Sequence, residues 1–120
     1  MHAFTLAYIE CALWSSTDES GEAGGECLDL HYDARDLAAA TLAAMVTDCD
    51  DFREYAKDLL AKSGLSDEQA GHDFWLTRNG HGAGFWDRGL GVVGDELTKA
   101  AKSFGERNLY VGDDGMIYGG

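Results

Sequence analysis

The sequence predicts an α+β domain, mainly helical, with one small C-terminal β-hairpin. Apolar residues recur at three- and four-residue spacing through several stretches, the signature of amphipathic helices. Ser66 with Gln69 forms a capping-box pair that opens one of those stretches. Near the C-terminus, Leu109-Tyr110-Val111 and Met116-Ile117-Tyr118 flank Asp114-Gly115, a pair suited to a positive-φ turn.

In chain order, Phe4, Tyr8, Ile9, Ala12 and Leu13 follow helical spacing and predict a helix over 3–14 with Trp14 near its end. Gly, Ser and Glu then dominate, so a mobile acidic loop is expected over about 15–30. Asp33 reads as the N-cap of a long helix, with Asp36 three residues on completing a capping-box-like pair before an alanine-rich run. Leu42, Met45, Val46, Cys49, Phe52, Ala56, Leu59 and Leu60 form the apolar stripe of that helix. Asp48, Asp50, Asp51, Glu54, Lys57 and Asp58 occupy the opposite face. Gly64 ends this helix, or a pair of helices broken near Thr47-Asp48.

The next helix runs from Ser66 to about Arg78 with Ala70, Phe74 and Thr77 inward, and Asn79-Gly80 stops it. Gly80, Gly82, Gly84, Gly89, Gly91 and Gly94 make 80–94 irregular. A last helix is expected from Asp95 to Phe104 with Leu97, Ala100, Ala101 and Phe104 inward, followed by the hairpin.

Composition narrows the function classes. The chain has 120 residues, 45% of them hydrophobic, which predicts a single domain over 1–120 that is stable without metal or disulfide. No apolar run approaches the roughly twenty residues of a membrane span. The first residues lack a basic region and Glu10 interrupts their apolar run, so no secretory signal is read and a cytoplasmic location is expected. Cys11, Cys27 and Cys49 form no C-x-x-C pair and are expected as free thiols.

Nine bases against 22 acids leave a net charge of −13, which repels nucleic acid and anionic membranes and favours a basic protein partner. Residues 1–58 carry 13 acids and three bases, whereas residues 59–120 carry nine and six. Solubility asks for a net charge of only about 2–8 in a small domain, so the excess leaves room for a binding role.

The densest set of functional side chains is His72-Asp73-Phe74-Trp75-Leu76-Thr77-Arg78-Asn79-Gly80-His81-Gly82-Ala83-Gly84-Phe85-Trp86-Asp87-Arg88, which holds two of the three tryptophans. On a helix His72, Trp75 and Asn79 share a face distinct from that of Phe74 and Arg78. A catalytic reading takes His72 or His81 as general base, oriented by Asp73 or Asp87, beside the backbone amides of the Gly80–Gly84 loop. The nucleophile is then the difficulty: Thr77 and Cys49 are the candidates by type, and neither sits in a nucleophile elbow or a Cys-His signature. A structural reading makes the same residues helix stops and internal Arg-Asp pairs.

The glycine loop follows a helix and lacks the Gly-Lys-Ser/Thr ending of a phosphate cradle. Cys27 with His31, and His72 with His81, have no spacing that makes four metal ligands, and Asp113-Asp114-Gly115 lacks the pattern of a calcium loop. No cofactor or metal is expected.

The 72–88 run, with Leu109-Tyr110-Val111-Gly112-Asp113-Asp114-Gly115 and Ala12-Leu13-Trp14-Ser15-Ser16-Thr17-Asp18-Glu19, resembles a family of small acidic proteins of phages, prophages and other mobile elements. The resemblance covers most of the chain. It implies a phage protein acting in the cytoplasm of a bacterial host, a setting in which small acidic proteins often inhibit defences, as anti-CRISPR and anti-restriction proteins do, some by mimicking DNA. The family supplies no site residues to carry over, and the loop at 20–27 departs from it in being richer in Gly and Glu.

The expected function is therefore an acidic inhibitor without chemistry that binds the basic, nucleic-acid-binding surface of a host defence complex. In that reading Asp48, Asp50, Asp51, Glu54 and Asp58 meet Arg and Lys side chains. Trp75, His81, Trp86 and Arg88 form a second contact patch or the frame beneath it. The alternatives are a small enzyme built on His72, His81 and Asp87, and a phage structural or accessory protein, with a homodimer joined through the apolar helix as a further possibility.

Overall fold

Helices of this length draw most of their stability from tertiary packing, so the fold rests on burying their apolar stripes against one another. The computed structural model describes residues 1–18, 26–81 and 83–119. Helix α1 (Ala3–Ser15) and helix α4 (Asp67–Arg78) make the most intimate pair. Gly71 permits their approach, because a Cβ at that position would overlap the carbonyl oxygen of Phe4. Around them stand α2 (Ala39–Tyr55), α3 (Lys57–Ser63) and α5 (Val92–Lys102).

The helices share an aromatic core. Phe52 of α2 stacks on Phe74 of α4 with ring centroids 4.1 Å apart and planes 12° apart. Phe104 meets both edge-on, at 5.8 and 5.3 Å, and Phe4 and Phe85 complete the cluster.

Several boundaries differ from the sequence expectations, each for a tertiary reason. Asp33 and Asp36 do form a reciprocal capping box, but on a single 3₁₀ turn, Ala34–Asp36, rather than on the long helix. Leu37 then extends to bridge Ile117, and the Ala38 amide donates to the Ile117 carbonyl at 2.8 Å, so α2 starts at Ala39 with no side-chain cap. The helix is broken at Ala56, not near Thr47-Asp48, and the buried Ala56 joins α2 to α3. Gly64, with φ of 70°, ends α3 as expected. Helix α5 begins at Val92, three residues before Asp95, with Gly91 at φ 61° before it, and ends at Lys102 rather than Phe104.

The expected mobile loop over 15–30 is structured at both flanks. Strands β1 (Thr17–Asp18) and β2 (Glu26–Cys27) pair antiparallel, and a 3₁₀ turn, Leu28–Leu30, buries Leu28. Residues 19–25, and with them most of the Gly- and Glu-rich segment, lie outside the described residues.

The C-terminal hairpin pairs β3 (Leu109–Val111) with β4 (Ile117–Gly119), Tyr110 lying opposite Tyr118. Its loop is longer than a two-residue turn. The Gly112 amide donates to the Met116 carbonyl, Gly115 supplies the positive φ of 80°, and the Asp114 carboxylate accepts from the Met116 amide and the Tyr118 hydroxyl. Thr41 of α2 accepts from the Gly119 amide and ties the hairpin to the helices. Among the described residues no helix is long and apolar enough to cross a membrane.

The Gly71 contact yields a stability test. Gly71→Ala forces α4 away from α1 and is expected to cost about 3 kcal/mol in chemical denaturation. Gly64→Ala meets no neighbour and costs about 1 kcal/mol, the cost of a left-handed backbone alone.

Candidate functional site

The 72–88 run folds mainly into the core. The Ser66 hydroxyl accepts from the Gln69 amide and caps α4 as the sequence predicts, but Gln69 turns its side chain to Asp73 rather than back to Ser66, so the box is only half formed. One turn on, the fully buried Asp73 takes two bonds from Arg88, Nε to Oδ2 at 3.0 Å and Nη2 to Oδ1 at 2.8 Å, and a third from Gln69 Nε2 at 2.9 Å. Trp75 is only 2% exposed, and its indole N–H donates to Ser15 Oγ at 2.7 Å. The buried Thr77 hydroxyl accepts from the Phe85 amide at 3.1 Å, folding the chain after Gly80 back over α4. Gly84 fits that fold-back because a Cβ there would strike Thr77 Oγ1 and the Trp86 ring.

Trp75 and Arg88 therefore belong to the frame. His81, Trp86 and Asp87 are exposed at the surface, and Gly82 lies outside the described residues.

That arrangement bears on the catalytic reading. The Nδ1 atom of His72 lies 3.9 Å from Asp73 Oδ1, yet that carboxylate is already occupied by Arg88 and Gln69. Thr77 has its oxygen engaged and is buried. Burial pushes the thiols of Cys49 and Cys11 up to about 12, which leaves both protonated at neutral pH. Among the described residues no three His, Cys, Asp or Glu side chains converge as a metal ion would require.

A second network centres on Arg78, whose guanidinium is buried under α1. Its Nη1 donates to the Tyr8 hydroxyl at 3.0 Å and to Asp48 Oδ2 at 2.8 Å, its Nε to the Gly105 carbonyl, and its Nη2 to the Phe104 carbonyl. The same guanidinium lies 5.3 Å from the Phe74 ring centroid and 5.9 Å from that of Phe104. Arg107 adds a contact to Asp48 Oδ2 at 3.1 Å. Asp48 thus holds two arginines at the inner edge of α2 and does not share the outward face expected of it. Sequence spacing carried a sign of this, since Asp48 lies three residues after Met45 and four before Phe52, both buried.

The other acids of that set do face outward. Asp50, Asp51 and Glu54 on α2 and Asp58 on α3 are exposed, with Tyr55, 71% exposed, among them. Arg53 stands 3.6 Å from Asp50, and Lys57 lies on the same side. With Arg78, Arg88 and Arg107 directed onto only two carboxylates, the rest of the chain carries 20 acids against six bases, a net of −14.

The structure also holds a feature that the sequence reading missed. A cleft of about 890 Å³ opens between α1, the start of α4 and the Ala34–Asp36 turn, walled by Trp14, His72, Tyr32 and Arg88. The Trp14 ring is 56% exposed and 6.1 Å from the His72 ring. The signal for it was the four-residue spacing of Leu6, Glu10 and Trp14, which gives α1 a second, outward face beside its core face.

Comparison with protein-family models, with curated proteins and with solved structures gives no match.

Two tests follow from the buried groups. Asp48→Asn leaves the Arg78 guanidinium without its countercharge and is expected to cost about 3–5 kcal/mol in denaturant unfolding. The buried thiols stay protonated when folded but ionise from an ordinary 9.0 when unfolded, so their contribution is full below pH 9 and lost as pH rises towards 12. The melting temperature should accordingly fall across that window, and at pH 8 a thiol reagent should label Cys27 while sparing Cys11 and Cys49 until the protein unfolds.

Proposed function

We propose that this protein is an acidic binding protein that docks on a basic, nucleic-acid-binding surface of a bacterial host defence complex and blocks it without chemistry. One observation carries the reading. Arg78, Arg88 and Arg107 share only two carboxylates, so the rest of the chain carries a net charge of −14, and α2 and α3 set Asp50, Asp51, Glu54 and Asp58 in the open. Residues three and four apart on a helix have Cβ atoms roughly 5–6 Å apart, so Asp50 and Asp51 each lie near Glu54 and can act together with it on a groove of Arg and Lys side chains built for phosphates.

Such a field speeds encounter with a basic partner and repels nucleic acid itself. The engaged states of Asp73, Thr77 and Cys49 support a role without catalysis. The likeness of the 72–88 run to small acidic phage and prophage proteins supports the bacterial setting, with anti-CRISPR or anti-restriction inhibition as its sharpest form.

Tagged protein in a lysate that carries defence systems should recover a nucleic-acid-binding complex at low salt, lose it at high salt, and lose it to competing nucleic acid. Each neutralised contact steepens the salt dependence, so the triple variant Asp50→Lys, Asp51→Lys, Glu54→Lys should reduce capture about a hundredfold or more while its melting temperature holds. Undiminished capture and inhibition by that variant would show the acidic-face reading to be wrong.

A further inference from the structure

We infer that the cleft beside Trp14 is a second docking site, one that takes an arginine side chain from an apolar-basic peptide segment of the partner. This inference rests on the reading of the protein as a binder of basic proteins. The charge around the cleft is lopsided in a way the sequence does not reveal. Its two cations are both neutralised, Arg35 by Asp33 at 2.7 Å and Arg88 by the buried Asp73 at 2.8 Å. Its carboxylates Glu10, Asp29 and Glu68 make no hydrogen bond and no ion pair among the described residues. Three uncompensated negative charges therefore border a cleft whose floor is apolar, formed in part by Ile9 and Leu13.

The wall supplies what a guanidinium needs. Trp14 offers an open indole face at the end of α1, one turn beyond Glu10, so a planar cation stacked on the ring sits within reach of that carboxylate. Beside the indole, 6.1 Å away, lies the ring of His72, whose Nδ1 is buried without a hydrogen-bond partner because the carboxylate beside it is filled by Arg88 and Gln69. A turn of the imidazole towards an incoming N–H group satisfies that nitrogen. Leu6, exposed on the same face of α1, extends the apolar strip along which neighbours of the arginine lie.

Charge selects among occupants. A phosphate is repelled by the three carboxylates, and a second copy of this chain would bring three more. A neutral apolar segment fits the floor and leaves the carboxylates unanswered.

The probe is a fluorescein-labelled peptide of alternating leucine and arginine, read by anisotropy at low salt beside the same peptide with each arginine replaced by neutral citrulline. The arginine peptide should bind at least tenfold more tightly than the citrulline one. Glu10→Gln with Glu68→Gln, both at exposed positions, should weaken it at least tenfold, as should Trp14→Ala, and Asp50→Asn with Asp51→Asn and Glu54→Gln should change it less than twofold. Equal binding of the two peptides, or wild-type affinity in the cleft variants, overturns the inference. Loss confined to the α2 variant also overturns it and leaves the acidic-face reading standing. Loss confined to the cleft variants, with partner capture unaffected by charge reversal on α2, sustains the cleft and removes that reading.

Discussion

The guanidinium of Arg78 is the contact on which most of the architecture depends. A cation taken out of water costs several kcal/mol unless its N–H groups find acceptors, and each acceptor here comes from a different part of the chain. Tyr8 brings α1, Asp48 brings α2, and the carbonyls of Phe104 and Gly105 bring the end of α5, while Phe74 on its own helix and Phe104 offer ring faces. The two carbonyls lie just past the last turn of α5, where the helix dipole favours a positive charge. One side chain thereby satisfies a helix end, a phenol and a carboxylate, and displacing any of them leaves a buried charge short of a partner.

The cost of that interior falls on the surface. Two carboxylates answer three arginines, so the charge left to the rest of the chain is more negative than the composition states. The asymmetry is also geometric. Helix α2 turns Met45, Cys49 and Phe52 inward and holds Asp48 at the boundary, where two arginines reach it. Its outer face keeps Asp50, Asp51 and Glu54, with Arg53 3.6 Å from Asp50. Helix α1 repeats the division, with Phe4, Tyr8 and Ile9 in the core and Leu6, Glu10 and Trp14 on the far side. Each of these helices has one face committed to folding and one free for contact.

Much of the fold was legible because it depends on local chemistry. The Ser66 cap, the Gly64 stop, the α1 stripe and the Gly115 turn are set by residues within a few positions of one another. What escaped depends on partners far away in sequence. Trp75 became core because Ser15, 60 residues away, accepts its N–H, and Asp48 became a structural ligand because Arg78 and Arg107 converge on it from 30 and 59 residues away. The late start of α2 follows from a bridge between Leu37 and Ile117, and the break at Ala56 has neither Gly nor Pro to announce it. Of the candidate site, the exposed acids of α2 and α3 were readable from helical spacing. The cleft was not, because its walls come from three separate segments.

Salt separates the two kinds of charge in this molecule. The Debye length falls from about 30 Å at 0.01 M to about 10 Å at 0.1 M, so salt screens the repulsion among outward carboxylates while leaving the buried Arg78 and Asp73 networks largely untouched. Added salt then relieves the folded chain of part of its self-repulsion and at the same time removes the attraction that would draw a basic partner to it. Both effects act on the same outward carboxylates, and neither acts on the buried pairs that hold the helices together. The division of α1 and α2 into an inner and an outer face provides that separation, since substitutions on the outer faces leave the buried networks intact. A surface more negative than solubility requires costs the fold some stability at low salt, and the proposed association with a basic surface would recover it, because repulsion would be replaced by attraction at the contact.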